Sequence, residues 1–192
     1  MKSLKSLSLL SAIMVSSVLP IAALAYGDGG DGDISPRTAY EWATSDPNVY
    51  ILDVRTEAEW QWVGHPGPNK LGADDPDGLG GEGLQNKVVN ISYEIEKDGV
   101  LVVNKKFIKD VNKVFGDNPS ATLITICRSG KRSADAAAAL DGAGYNGRVY
   151  NTTSGFEGGT DSRGYRTSLT SPGWVNNGLP YSYIGPGYKD DK

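Results

Sequence analysis

Cys127 is the only cysteine of the 192-residue chain, and it stands in the run ICRSGKRSADAAAAL beside Arg128, Lys131 and Arg132. A thiol attacks other atoms well only as thiolate, and nearby cations together with a helix N-terminus favour that form. Ser129, Gly130 and Ser133 complete the segment. In a loop of this kind consecutive backbone N–H groups converge into an anion-binding nest, and a glycine lets the chain bend sharply and approach a ligand closely. The pattern suggests nucleophilic catalysis by sulfur. A lone cysteine after a strand is often a small core residue, but the run that follows this one is too cationic for a core. His65, the single histidine, reads as a loop or capping residue rather than as the base of a dyad, which needs a third orienting group.

Other residues that could do chemistry are better explained by structure. Gly78, Gly80 and Gly83 fit G-x-G-x-x-G, yet no strand precedes them and no helix follows, so they fail the context a dinucleotide site needs. Asp74, Asp75 and Asp77 read as a solvated loop before a metal site. The acidic glycine-rich stretch YGDGGDGD, residues 26–33, lacks calcium-loop spacing and reads as a flexible leader. Trp42, Trp60, Trp62 and Trp174 are expected to pack rather than to form a ligand cage.

The thiol loop must be positioned by strands and helices, and these alternate along the chain. Ser35 caps a helix with Pro36 in its first turn; VYILDV is a buried strand; TEAEWQWV is a helix with Thr56 and Glu59 as its capping box. From Gly64 to about Asn86 the chain is rich in Gly, Pro and Asp and reads as a long surface loop. KVVNI is the next strand, followed by a hairpin-like excursion through KDGVLVV. A helix capped by Asn104 carries Phe107, Val111, Val114 and Phe115 on one stripe and stops at Gly116. ATLITI is a strand buried on both faces, a helix begins near Ser133 and ends at Gly142 and Gly144, and RVYN is the last strand. Such alternation implies a mostly parallel sheet covered by helices. Cys127 then lies at the C-terminal end of a buried strand, the edge where open α/β sheets bind ligands.

Residues 1–25 carry Lys2 and Lys5, an apolar stretch broken by Pro20, and Ala23-Leu24-Ala25, which together read as a cleavable signal peptide. An exported protein, periplasmic or secreted, is expected, with no membrane attachment after cleavage. The formal net charge of −4 becomes two units more negative once Lys2 and Lys5 are removed, which argues against nucleic acid and anionic membrane as partners. In an oxidising compartment cysteines are usually spent on disulfides, and one cysteine cannot form one internally.

DVRTEAEW, VGHPGP, ICRSGKRSADAAAAL and SGFEG follow one another in the order found in the rhodanese-like single-domain sulfurtransferases, which the chain resembles over residues 34–160. The resemblance implies an α/β, rhodanese-like fold: a mostly parallel central sheet with helices on both faces, a long loop insertion, and a C-terminal extension, residues 161–192, packed on the domain. It implies that Cys127 takes up a sulfane sulfur as a persulfide, with Arg128, Ser129, Gly130, Lys131, Arg132 and Ser133 as the cradle and Asp53 and Arg55 as structural support. The expected donor is a small anion such as thiosulfate, steered by the three cations, and the expected acceptor is an external thiol or cyanide. No cofactor and no metal are implied. Cysteine phosphatases of this fold need C-x5-R, whereas Cys127 to Arg132 is C-x4-R. A non-catalytic module that binds an anion or delivers sulfur is the alternative.

Overall fold

The computed structural model describes residues 30–67, 82–160 and 171–183. In chain order the elements are β1 (Gly32–Ile34), α1 (Pro36–Ser45), β2 (Val49–Asp53), α2 (Glu57–Val63), β3 (His65–Pro66), β4 (Val88–Asn90), β5 (Glu94–Lys97), β6 (Val100–Val103), α3 (Phe107–Phe115), β7 (Thr122–Ile126), α4 (Lys131–Gly142), β8 (Val149–Thr152) and β9 (Tyr181–Ser182). Five strands form one sheet in the order β1-β8-β7-β2-β4, and every pairing in it is parallel. The expected α/β architecture is therefore present. The signal segment, residues 26–29, Asp74, Asp75, Asp77, Gly78 and Gly80 lie outside the described residues.

Two apolar cores flank the sheet. One gathers Ala39 and Ala43 of α1, Trp60 of α2, alternate sheet residues such as Ile51, Ile124 and Ile126, and Trp174 and Leu179 from the C-terminal segment. The other gathers Phe107, Val111 and Phe115 of α3, Ala136, Ala137 and Leu140 of α4, and the opposite-facing Leu52, Leu123 and Val149. The period-2 alternation of the strands thus feeds both cores, as a sheet covered on two faces requires.

Local signals act as the sequence suggests at several ends. Ser35 Oγ accepts from the Thr38 amide, with Pro36 at the first helical position. Thr56 and Glu59 form the reciprocal capping box of α2. At the end of α4 the Tyr145 amide bonds back to the Leu140 carbonyl and the Gly144 amide to that of Asp141, a Schellman closure with Gly144 at φ +76°.

Elsewhere the structure corrects the expectation. Gly32 and Asp33 are not flexible leader: they pair with Tyr150 and Asn151 as an edge strand, and Asn151 Nδ2 donates to Asp33 Oδ1 at 2.8 Å. Val114 leaves the stripe of α3 and is exposed, because positions 107, 111 and 115 recur every four residues and already face the core. Lys106 occupies the cap of that helix, while Asn104 accepts from its amide two residues on. The helix does stop at Gly116 as expected, which caps it at a right-handed φ of −59°. The segment after Gly64 is only partly surface loop: Gly64 to Gly67 are buried, β3 pairs antiparallel with β9, and Leu84 enters the core. Trp62 is 80% exposed, since it stands two positions from the buried Trp60 and so faces away.

Candidate functional site

The end of β7 delivers Cys127 to a tight loop, and Gly130 at φ +100° turns that loop into α4. The positive φ favours glycine there, and a Cβ at 130 would also stand a tight 3.1 Å from the Ser154 amide nitrogen. α4 therefore begins at Lys131, two residues before the expected Ser133. Its first intrahelical bond runs from the Ala134 amide to the Gly130 carbonyl, so the amides of residues 131–133 belong to the unpaired first turn.

The Cys127 sulfur accepts two hydrogen bonds, from the Gly130 amide at 3.2 Å and from Ser133 Oγ at 3.3 Å. Ser133 Oγ also lies 3.0 Å from the Gly130 carbonyl. Cys127 is 1% exposed and is itself a member of the apolar core under α4, while its sulfur also accepts from two polar donors that a packing thiol does not need. Ser129 is half-buried.

The turn after β8 backs the loop. The Phe156 amide donates to the Cys127 carbonyl and the Glu157 amide to that of Arg128. A Cβ at Gly155 would come within 2.4 Å of the Cys127 carbonyl oxygen, so this turn presses directly on the loop. Below it sits the buried Asp53–Arg55 pair, each side chain with no exposed surface. Arg55 Nε donates to Asp53 Oδ1 at 3.0 Å, Nη2 donates to the Gly64 carbonyl at 2.7 Å, and the guanidinium lies 4.3 Å from the Phe156 ring centroid. Asp53 and Arg55 thus join β2, the end of α2 and the turn that braces Cys127, which is a supporting position.

The three cations do not ring the sulfur as free charges. Arg128 pairs with Glu157 at 3.3 Å, Lys131 pairs with Asp135 at 3.0 Å and is 84% exposed, and Arg132 makes a two-pronged contact with Glu59 at 2.6 and 2.8 Å. Arg132 Nε also lies 3.9 Å from Glu94. Burial pushes the Glu59 carboxyl up, but Arg132 and the Thr56 cap override it and hold it at about 2. The Glu59 hydrogen bonds raise Arg132 in turn. Sequence reasoning found both residues, one as a cap and one as a cradle member, but not their union across two helices.

His65 is buried in a different place from the expected exposed loop. Its ring stacks on Trp60 at 3.6 Å with a 2° interplanar angle, its Nδ1 lies 2.9 Å from the Pro66 carbonyl, and burial lowers its pKa. It works as a neutral packing group between β3 and α2.

The C-terminal segment completes the support. The Trp174 amide donates to the Gly155 carbonyl, the Val175 amide donates to that of Phe156, and fully buried Trp174 donates from Nε1 to the Pro180 carbonyl at 2.7 Å. These contacts stitch residues 171–183 onto the turn that backs the thiol loop.

The rhodanese-like domain family matches residues 35–162. An uncharacterised protein of Rickettsia conorii is 31% identical over 151 residues, spanning 79% of this chain and 97% of that one, and a homologue from Rickettsia montanensis gives the same figures. The crystal structure of Rv0390 from M. tuberculosis is 33% identical, with a TM-score of 0.57 over 80% of this chain and 98% of the other. The family match and the solved structure agree with the parallel sheet flanked by helices, and the chain belongs to the rhodanese-like domain family.

Proposed function

We propose that the protein is a sulfurtransferase that moves sulfane sulfur to a thiophilic acceptor through a persulfide on Cys127. The observation that carries this reading is the convergence of the Gly130 amide and the Ser133 hydroxyl on the Cys127 sulfur, at the mouth of an unpaired first helical turn. With thiosulfate as donor, the Cys127 thiolate attacks the outer sulfur, a sulfur–sulfur bond forms, and the sulfur–sulfur bond of the donor breaks with its electron pair leaving on sulfite. Cyanide or a thiolate then attacks the same outer sulfur, which departs as thiocyanate or a new persulfide and returns the thiolate. Both halves use one site, so ping-pong kinetics follow. The loop amides act as preorganised dipoles toward the negative charge on sulfur.

Asp53 and Arg55 support the loop from below and do not react. The chain is exported by the signal at residues 1–25 and acts outside the cytoplasm, where an external thiol resolves the persulfide because Cys127 has no second cysteine in the sequence.

The near-complete burial of Cys127 favours a second reading, a non-catalytic module that keeps the fold and uses its surface for binding. One experiment separates the two. Mass spectrometry of the intact protein after treatment with a panel of sulfane donors gains the mass of one sulfur, mapped to Cys127, and Cys127→Ser gains nothing and turns over nothing. An unchanged mass with every donor supports the binding module instead.

A further inference from the structure

The two donors on the Cys127 sulfur come from residues 130 and 133, and Arg132 stands between them in the chain. Resting on the sulfurtransfer reading, we infer that Arg132 and Glu59 are positioning residues: their ion pair clamps the first turn of α4 to the N-terminus of α2 and so aims the Gly130 amide and the Ser133 hydroxyl at the sulfur, while Arg132 does not itself bind the sulfur donor.

The guanidinium is committed to this contact. Arg132 Nη1 donates to Glu59 Oε2 at 2.8 Å and Nη2 donates to Oε1 at 2.6 Å, while Nε lies 3.9 Å from Glu94. A planar fork matches a carboxylate in one orientation, so the pair fixes geometry as well as charge. The side chains of Arg132 and Glu59 are only 14% and 22% exposed, which leaves the pair less screened than one on the open surface. Glu59 is held in its turn, since Oε2 accepts from the Thr56 amide at 3.0 Å and from the Thr56 hydroxyl at 2.9 Å. A path of bonds therefore runs from the cap of α2, directly after the buried Arg55, through Glu59 to Arg132.

This hold is independent of the others on the same segment. The turn after β8 grips the carbonyls of Cys127 and Arg128, and Thr125 Oγ1 donates to the Ser133 carbonyl at 2.9 Å from within β7. Only the Glu59–Arg132 clamp reaches the turn from α2. The contacts it aims are 3.2 and 3.3 Å long, and a misplacement of about 1 Å at a reacting centre costs up to about 100-fold in rate. The charge of Arg132 also reaches Cys127 through space, so the test must separate field from geometry. Arg132→Lys does so, because it keeps the charge and removes the fork.

The test follows sulfur loading of Cys127 by rapid-quench mass spectrometry on the full-length protein, with thiosulfate as donor, or glutathione persulfide where thiosulfate does not load the wild type. Glu59→Gln, Arg132→Lys and the double variant are compared at a temperature where circular dichroism shows each to be folded; Glu59→Asp, which keeps the charge and shortens the reach, replaces Glu59→Gln if that variant does not fold. The expected result is a saturating loading rate about tenfold lower in each single variant, with the half-saturating donor concentration within about twofold of wild type. The double variant should be slower than either single one by no more than about twofold, because both changes remove one contact. Donor binding by Arg132 predicts the opposite: Glu59→Gln frees the cation, lowers the half-saturating concentration and speeds loading, and Arg132→Lys loads nearly as the wild type does. Either of those results overturns the inference, as do single losses that multiply in the double variant. A wild type that loads from no sulfane donor is a separate outcome, and it removes the sulfurtransfer reading together with the inference.

Discussion

Two donors meet on one sulfur atom at Cys127, and only one of them is a side chain. Removing the hydroxyl in Ser133→Ala takes away a 3.3 Å contact while leaving the Gly130 amide in place. A hydrogen bond to a charged acceptor is worth roughly 1.5 kcal/mol, so sulfur loading in the variant should slow by about tenfold, while the melting temperature changes little. Stopped-flow loading kinetics beside a thermal scan check this; a large drop in stability with normal kinetics would assign Ser133 to packing instead. The place of Cys127 in a strand-to-helix loop was readable from the sequence because its signals are local: one thiol, one glycine at a bend, and a strand feeding a helix. The partners of Arg128, Lys131 and Arg132 were not. Asp135 is four residues from Lys131, but Glu157 and Glu59 arrive from other elements, and no spacing rule reports that.

At the scale of elements, Glu59 ties the N-terminus of α2 to the N-terminus of α4. Its carboxyl is held at about 2 against an ordinary 4.5. The folded value lies below the unfolded one, so the stability it contributes is present in full above 4.5 and is lost as the pH falls through about 2. Glu59→Gln should cost at most about 3 kcal/mol at neutral pH and should flatten the stability curve across that acid window. Urea unfolding at a series of pH values measures both effects; a parallel pair of curves would show that the ion pair contributes nothing. The boundaries of these elements were largely legible, because caps and periodicity act within a few residues of one another, as at Ser35, Thr56 and Gly144. β1, β3 and β9 were not legible. Each has two or three residues, and what makes it a strand is the neighbour it pairs with: β8 for β1, and the β3–β9 pair for each other. His65 was misplaced for the same reason, since its stacking on Trp60 depends on a chain reversal that no local pattern encodes.

Over the whole molecule, the C-terminal segment is part of the domain rather than an appendage. Trp174 is fully buried among Trp60, Phe156 and the strands, and its backbone holds the turn that presses on the thiol loop. Trp174→Ala should cost about 3–5 kcal/mol, as expected for emptying a large core site, and should also lower sulfur loading under conditions where the variant is fully folded. Calorimetry and loading rates on the same sample test this; normal loading in a folded variant would detach the tail from the site.

The same stitching orders events in time. The turn and the tryptophan that back Cys127 are made well after it as the ribosome proceeds, so a nascent chain displays its thiol before the brace exists. Closure of this site therefore waits on residues 155–175, so the loop is braced only once the C-terminal part of the domain has joined the sheet.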